Sequence, residues 1–207
     1  MDLLTTGPAN ARATLMLAHG AGAPMDNDWM NKMADGLGKA GLRVIRFEFA
    51  YMAARRQGER RPPPKAERVM PEYREAVAQA AVHGPLFIGG KSMGGRVASM
   101  VAQELFDTGA IKGLVCLGYP FHPPGKPDDL RTAHLEKLTV PALICQGTRD
   151  PFGTREEVPG YKLSPAIELF WLEDGDHDLK PRKAISGRSF ADNLGATIAR
   201  LAAFTGA

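Results

Sequence analysis

The segment from Leu86 to Arg96, LFIGGKSMGGR, sets one hydroxyl, that of Ser92, among Gly89, Gly90, Gly94 and Gly95. A serine hydroxyl is a weak nucleophile until a base takes its proton. The chemistry to look for is therefore covalent attack assisted by a histidine that a carboxylate orients. The flanking residues read as strand, sharp turn and helix. Leu86-Phe87-Ile88 is a short apolar run, and Val97, Val101 and Leu105 recur at helical spacing. A turn that exposes a serine needs nearly bare positions two before and two after it, and Gly90 and Gly94 occupy them. The pattern G-x-S-x-G predicts a nucleophile elbow. Gly90-Lys91-Ser92 could also end a phosphate loop, G-x-x-x-x-G-K-[ST]. The first glycine would then fall at Pro85, and the intervening positions are the apolar residues of the strand. An ordinary Gly-rich turn is the remaining reading, which the strand before and the helix after disfavour.

Other elements must bring a base and a carboxylate to that serine. The chain alternates short apolar runs with longer helical patterns, which predicts a mostly parallel sheet with helices on both faces, a three-layer α/β/α sandwich. Strands are expected at Thr14–Ala18, Leu42–Phe47, Leu86–Ile88, Leu114–Leu117, Ala142–Cys145 and Ile167–Leu172, with Leu3-Leu4 a fragment of an edge strand. One helix carries Trp29, Met33 and Leu37 on a face, and Asp26, Asn27 or Asp28 could cap it. Another buries Tyr73 and Val77, and a terminal helix presents Phe190, Leu194, Ile198 and Leu201. The segment Glu48–Lys65 holds Arg55, Arg56, Arg60 and Arg61 and then Pro62-Pro63-Pro64, so it cannot be regular throughout.

If the strands are parallel and joined by right-handed crossovers, every segment that follows a strand emerges at one edge of the sheet. That edge collects His19-Gly20-Ala21-Gly22, the arginine segment, Ser92, the stretch Tyr119–Pro124, Asp150 and His177. His177 is the expected base and Asp150 the expected carboxylate. Asp128 and Asp129 are alternative acids, Asp150-Pro151 could be a plain turn, and His177 lies among Asp174, Asp176 and Asp178 as a solvated loop histidine could. His19 is expected to hold its turn rather than to move protons. Arg55, Arg56 and Tyr119 are candidate substrate contacts, because guanidinium groups on the catalytic edge would favour a carboxylate- or phosphate-bearing substrate. A solvated rim is the competing reading of the arginines. No aromatic residues interleave with them, so a nucleic-acid partner is not expected. His83, His122 and His134 lack ligand spacing, and no metal or cofactor is expected.

With H-G-A-G at residues 19–22, the arginine-rich segment, G-K-S-M-G-G at 90–95 and G-D-H at 175–177, the chain resembles the α/β-hydrolases. It is similar to the small dienelactone-hydrolase-related proteins and, more narrowly, to the KANL/Tex-like group. The resemblance runs from about residue 13 to the C-terminus, and the order Ser92, Asp150, His177 is the one such a triad follows. It implies an α/β-hydrolase fold, here minimal, because this sequence departs from the family in having no cap domain after the sixth strand. It also implies that Met93 and Ala21 donate the oxyanion-hole N–H groups. Lys91 departs from many serine hydrolases, which have another residue before the nucleophile.

Composition limits the remaining choices. The chain of 207 residues, 44% hydrophobic, can bury one good core and is read as one domain over 1–207. A net charge of +3 permits an acidic ligand without arguing for one. Its two cysteines, Cys116 and Cys145, lie in apolar runs, which excludes a disulfide scaffold and points to a reducing, cytoplasmic setting. No run approaches the roughly 18 apolar residues of a membrane span, so no membrane partner is expected. The expected function is a serine esterase or thioesterase that cleaves a small acyl substrate, an anionic one if the arginines contribute. The alternative is an interaction module of the same fold with negligible turnover.

Overall fold

A computed structural model describes residues 1–59 and 61–207. Arg60 of the arginine segment lies outside the described residues. Seven strands, β1 (Leu3–Thr6), β2 (Thr14–Ala18), β3 (Arg43–Phe47), β4 (Leu86–Lys91), β5 (Gly113–Leu117), β6 (Ala142–Gly147) and β7 (Ile167–Leu172), form one sheet in the order β1-β3-β2-β4-β5-β6-β7. All neighbours are parallel except β1, which runs antiparallel along β3 at the edge. The helices are α1 (Asp28–Lys39), α2 (Ala50–Arg56), α3 (Ala66–Ala80), α4 (Met93–Asp107), α5 (Lys183–Ser186) and α6 (Phe190–Thr205).

Period-two side-chain alternation divides the core into two layers. Leu15, Leu17, Val44, Val115, Leu143 and Cys145 face Met33 and Leu37 of α1 and Leu201 of α6. Met16, Ala18, Ile45, Phe47, Ile88, Cys116 and Ile144 face Tyr73 of α3 and Val97 and Val101 of α4. Central strands buried on both faces read as continuous apolar runs, which is why they are legible in the sequence. Asn27 proves to be the cap of α1, its side chain accepting from the N–H groups of Trp29 and Met30 at 3.0 and 3.2 Å.

The arginine segment is not regular throughout, as its prolines require, but it opens with a short helix, α2. One local reading is corrected. On α6 the fully buried face is Asn193, Thr197, Leu201 and Thr205, while Phe190, Leu194 and Ile198 are only partly covered. Thr197 and Thr205 satisfy their hydroxyls on the carbonyls of Asn193 and Leu201, so hydrophobicity alone does not mark this face.

The chain winds from β2 outward to β3, then crosses back over β2 to β4. Strand order therefore reverses between β2 and β4, where Ala18 pairs with Gly90. Crevices beyond the carboxyl ends of strands at such a reversal are where open α/β sheets hold ligands. Between β5 and β6 the segment from Gly118 to Pro141 carries a single 3-10 turn, Leu135–Lys137, and no inserted domain.

Candidate active site

Ser92 lies between β4 and α4 with φ 52° and ψ −117°, a conformation that costs a non-glycine residue about 1–3 kcal/mol. Its N–H donates to Leu117 O at 3.0 Å, and Arg96 N–H donates to Ser92 O at 3.0 Å, opening α4. The glycines around it are required by contact. A Cβ on Gly90 would lie 2.5 Å from the carbonyl carbon of Gly94 and 2.7 Å from Ala18 O. One on Gly94 would lie 2.5 Å from Ala18 O and 2.6 Å from His19 O. α4 therefore starts pressed against the end of β2.

His177 Nε2 is 2.8 Å from Ser92 Oγ, and its Nδ1 is 2.8 Å from Asp150 Oδ2. Asp150 is fully buried. Its Oδ2 also accepts from Gln146 Nε2 at 3.0 Å, and its Oδ1 accepts from Phe152 N–H at 2.9 Å, so both oxygens are held. The Phe152 ring lies 4.2 Å from the imidazole, centre to centre, covering one face of it. Asp128 and Asp129 are exposed on the loop after β5, and neither touches His177.

The loop after β7 that carries His177 is folded by its own aspartates. Asp176 Oδ1 accepts from the N–H groups of Asp178 and Lys180 at 2.8 and 2.9 Å. Asp174, at φ 52°, is gripped by the Arg182 guanidinium and backbone, and Arg149 Nε donates to Asp174 O at 2.8 Å. The Arg182 guanidinium hydrogen-bonded to it holds the Asp174 carboxyl below the ordinary carboxylate range. More distant elements fasten the rest. Asn193 of α6 donates to Glu173 O and Leu179 O at 3.1 and 3.0 Å, and Trp29 Nε1 donates to Asp178 O at 2.9 Å. Gly118 admits the loop, since a Cβ there would sit 2.8 Å from His177 O.

His19 is fully buried at the end of β2. Desolvation pushes its pKa down, so the neutral ring donates from Nδ1 to Gly20 O at 2.6 Å and accepts Phe49 N–H on Nε2 at 3.2 Å. Tyr51 Oη donates to Ala21 O at 3.1 Å. His19 and Tyr51 thus tie the Gly20-Ala21 turn to the chain leaving β3. Among the described residues, neither Ala21 N–H nor Met93 N–H has a protein acceptor.

Ser92 opens onto two clefts that share Ala21 and Phe152. The first, about 430 Å³, adds Met93 and Arg96 of α4, Pro64-Lys65-Ala66-Glu67, Pro120 and Arg131. The second, about 530 Å³, adds Trp29, Lys91, His177, Asp178 and Lys180. Both volumes fall in the range of small-molecule sites. Lys91 is 7% exposed, its Nζ 3.4 Å from Asp178 Oδ1 and 5.6 Å from the Trp29 ring centre. Burial holds that ammonium below its usual pKa, with Asp178 opposing.

The expected substrate contacts Arg55, Arg56 and Tyr119 lie elsewhere. Arg56 turns away to Glu48 and Asp26, at 2.6 and 2.5 Å, and lines a separate, largely acidic hollow. Arg55 donates to Arg61 O at 2.8 Å and lies over the Tyr51 ring. Tyr119 is fully buried, its hydroxyl donating to Arg131 O at 3.0 Å. Among the described residues of the arginine segment, only its end, Pro64 and Lys65, reaches the first cleft. Gln146, Phe152, Arg96 and Arg131 are site residues that no motif or spacing marks. Gln146 alone carries a signal, a polar residue closing an apolar strand. Among the described residues, no three His, Cys, Asp or Glu side chains converge as a metal site requires, and no helix is long and apolar enough to cross a membrane.

Solved structures share this architecture at low identity. An α/β serine hydrolase without lid from Xanthomonas campestris matches with a TM-score of 0.73 at 17% identity, over 100% of this chain and 90% of that one. A dienelactone hydrolase from Anabaena variabilis matches with 0.71 at 17%, over 98% and 89%. An α/β serine hydrolase homologue from Coxiella burnetii matches with 0.70 at 18%, over 96% and 88%. At such identities the likeness concerns the fold. The sequence itself matches the family model described as an alpha/beta hydrolase domain over residues 11–206, and the chain belongs to that family.

Proposed function

We propose that this α/β-hydrolase is a serine esterase or thioesterase that works through an acyl-Ser92 intermediate. The observation that carries the reading is the unbroken hydrogen-bonded series Ser92–His177–Asp150, with 2.8 Å at both links. His177 Nε2 takes the Ser92 proton as Oγ attacks the substrate carbonyl, and Asp150 stabilises the imidazolium through Nδ1–H. Met93 N–H and Ala21 N–H, which have no protein acceptor among the described residues, receive the oxyanion. His177 then protonates the departing alcohol or thiol, water attacks the acyl-serine with His177 as base, and Ser92 regains its proton.

The leaving group must reach the imidazole that protonates it, and His177 lines the second cleft but not the first. The leaving group therefore lies in the second cleft and the acyl group in the first. Kinship with the KANL/Tex-like group, one domain over 1–207 and a cytoplasmic setting belong to the same reading. The setting is supported by the two buried free cysteines.

Labelling with a fluorophosphonate probe, read by intact mass, tests the reading. One adduct on Ser92, absent in Ser92→Ala and slowed at least about a hundredfold in His177→Ala, is expected. A folded protein that takes up no probe would exclude an activated serine and leave an interaction module of hydrolase shape.

A further inference from the structure

The first cleft carries more positive charge than its own residues balance. Lys65, Arg96 and Arg131 line it against one acid, Glu67. Arg96 donates to Glu67 Oε1 at 2.8 Å and is 19% exposed, while its Nε is buried without a partner among the described residues. Arg131 is half-buried, and among the described residues its guanidinium has neither a hydrogen-bond acceptor nor an ion pair. Burial, and next the Arg96 charge, hold its pKa below the ordinary value. Arg56 is a useful contrast, because two carboxylates meet that guanidinium and leave nothing for a ligand. Glu67 pairs with Arg96, which leaves the Arg131 guanidinium, beside that second cation and partly withdrawn from water, as a donor that an entering anion would satisfy.

We propose that this cleft is an acyl-group subsite for a carboxylate, received by Arg131 and Arg96 with Lys65 at the rim. The proposal rests on the hydrolase reading for the assignment of acyl group and leaving group. It names the substrate class as half-esters or half-thioesters of short dicarboxylic acids. The cleft that Ser92, Arg96 and Arg131 line together, about 430 Å³, limits the acyl chain to a short one, and a glutaryl chain serves as the probe. A guanidinium pair suits this task, since its forked donors match a carboxylate in plane while a neutral acyl chain leaves them unpaired.

The test compares mono-p-nitrophenyl glutarate with its neutral methyl ester on the intact protein. The wild type is expected to favour the acid by roughly tenfold or more in kcat/KM. Arg131→Gln should reduce that acid-to-ester ratio about tenfold at unchanged melting temperature, and Arg131→Lys should restore part of it. Equal use of both esters, or a ratio indifferent to Arg131→Gln, would overturn the subsite while leaving the hydrolase reading intact. A second arm is independent of turnover. Glutarate binding to Ser92→Ala is measured by calorimetry with Arg131 intact and with Arg131→Gln. Binding lost only in the double variant supports the subsite even if no ester is cleaved, and the absence of binding to Ser92→Ala overturns it.

Discussion

Ser92 and His177 meet at 2.8 Å, yet the chain fixes them by opposite means. The serine is placed by what its neighbours lack. Gly90 and Gly94 let α4 close onto the end of β2, and any Cβ there collides with main-chain atoms that have nowhere to go. The histidine is placed by what its neighbours hold. Arg149, Arg182, Asn193 and Trp29, drawn from four places in the chain, bind the carbonyls and the Asp174 carboxylate of its loop. A steric device is local and all-or-none. A hydrogen-bonded device is distributed, so its parts fail singly and by degrees.

Gly94→Ala attacks the steric device and should have the largest effect. With Cβ 2.5 Å from Ala18 O, a loss of about 3 kcal/mol or more is expected, seen as a lower denaturant midpoint together with lost probe labelling. A stable, fully labelled variant would show that the elbow has slack. Asn193→Ala attacks the distributed device and leaves Glu173 O and Leu179 O unpaired, a cost of about 1–3 kcal/mol. Labelling should slow while the fold persists, and His177 NMR signals should broaden as its loop loosens.

Acid separates the two devices further. The Asp174 carboxyl titrates below its unfolded value of about 4 because Arg182 binds the ionised form. Its contribution is therefore complete above about pH 4 and disappears as pH falls through the lower folded value. Asp174→Asn should be less stable than the wild type at pH 7, and the gap should narrow below about pH 4 in parallel urea titrations. A gap constant with pH would mean that the Arg182 pair contributes nothing to stability. Lys91→Met should have the smallest effect. Lys91 lies on the elbow strand and touches the histidine loop through Asp178, but Asp178 also has Lys180 at 3.5 Å and is half exposed. Stability should change by less than about 1 kcal/mol, and labelling should change by less than about threefold.

The elbow was legible because its determinants are contiguous. Glycines two before and two after a serine, between an apolar strand and an amphipathic helix, state a local requirement that needs no distant partner. Asp150 and His177 were reachable by one further step, since parallel strands must deliver their following loops to one edge. The arginines were harder to read. Placing Arg55 and Arg56 on that edge followed from their position after β3, but α2 turns Arg56 toward Glu48 and Asp26. Arg96 and Arg131 carry no sequence signal, because a lone arginine on a helix or in a proline-rich loop looks like any solvated charge.

By itself, then, the sequence determined the mostly parallel sheet with helices on both faces and the order in which Ser92, Asp150 and His177 leave it. These depend on side-chain period and on glycine, which act over a few residues. Only the tertiary structure decided which polar groups meet. It set Gln146 on Asp150, Asn193 on the histidine loop and Arg131 in the cleft of Ser92 without a partner among the described residues. A charge or an amide has no periodicity to betray its partner. Its energy depends on burial and on an atom that can lie more than a hundred residues away, as Trp29 and Asp178 do, and folding alone supplies both.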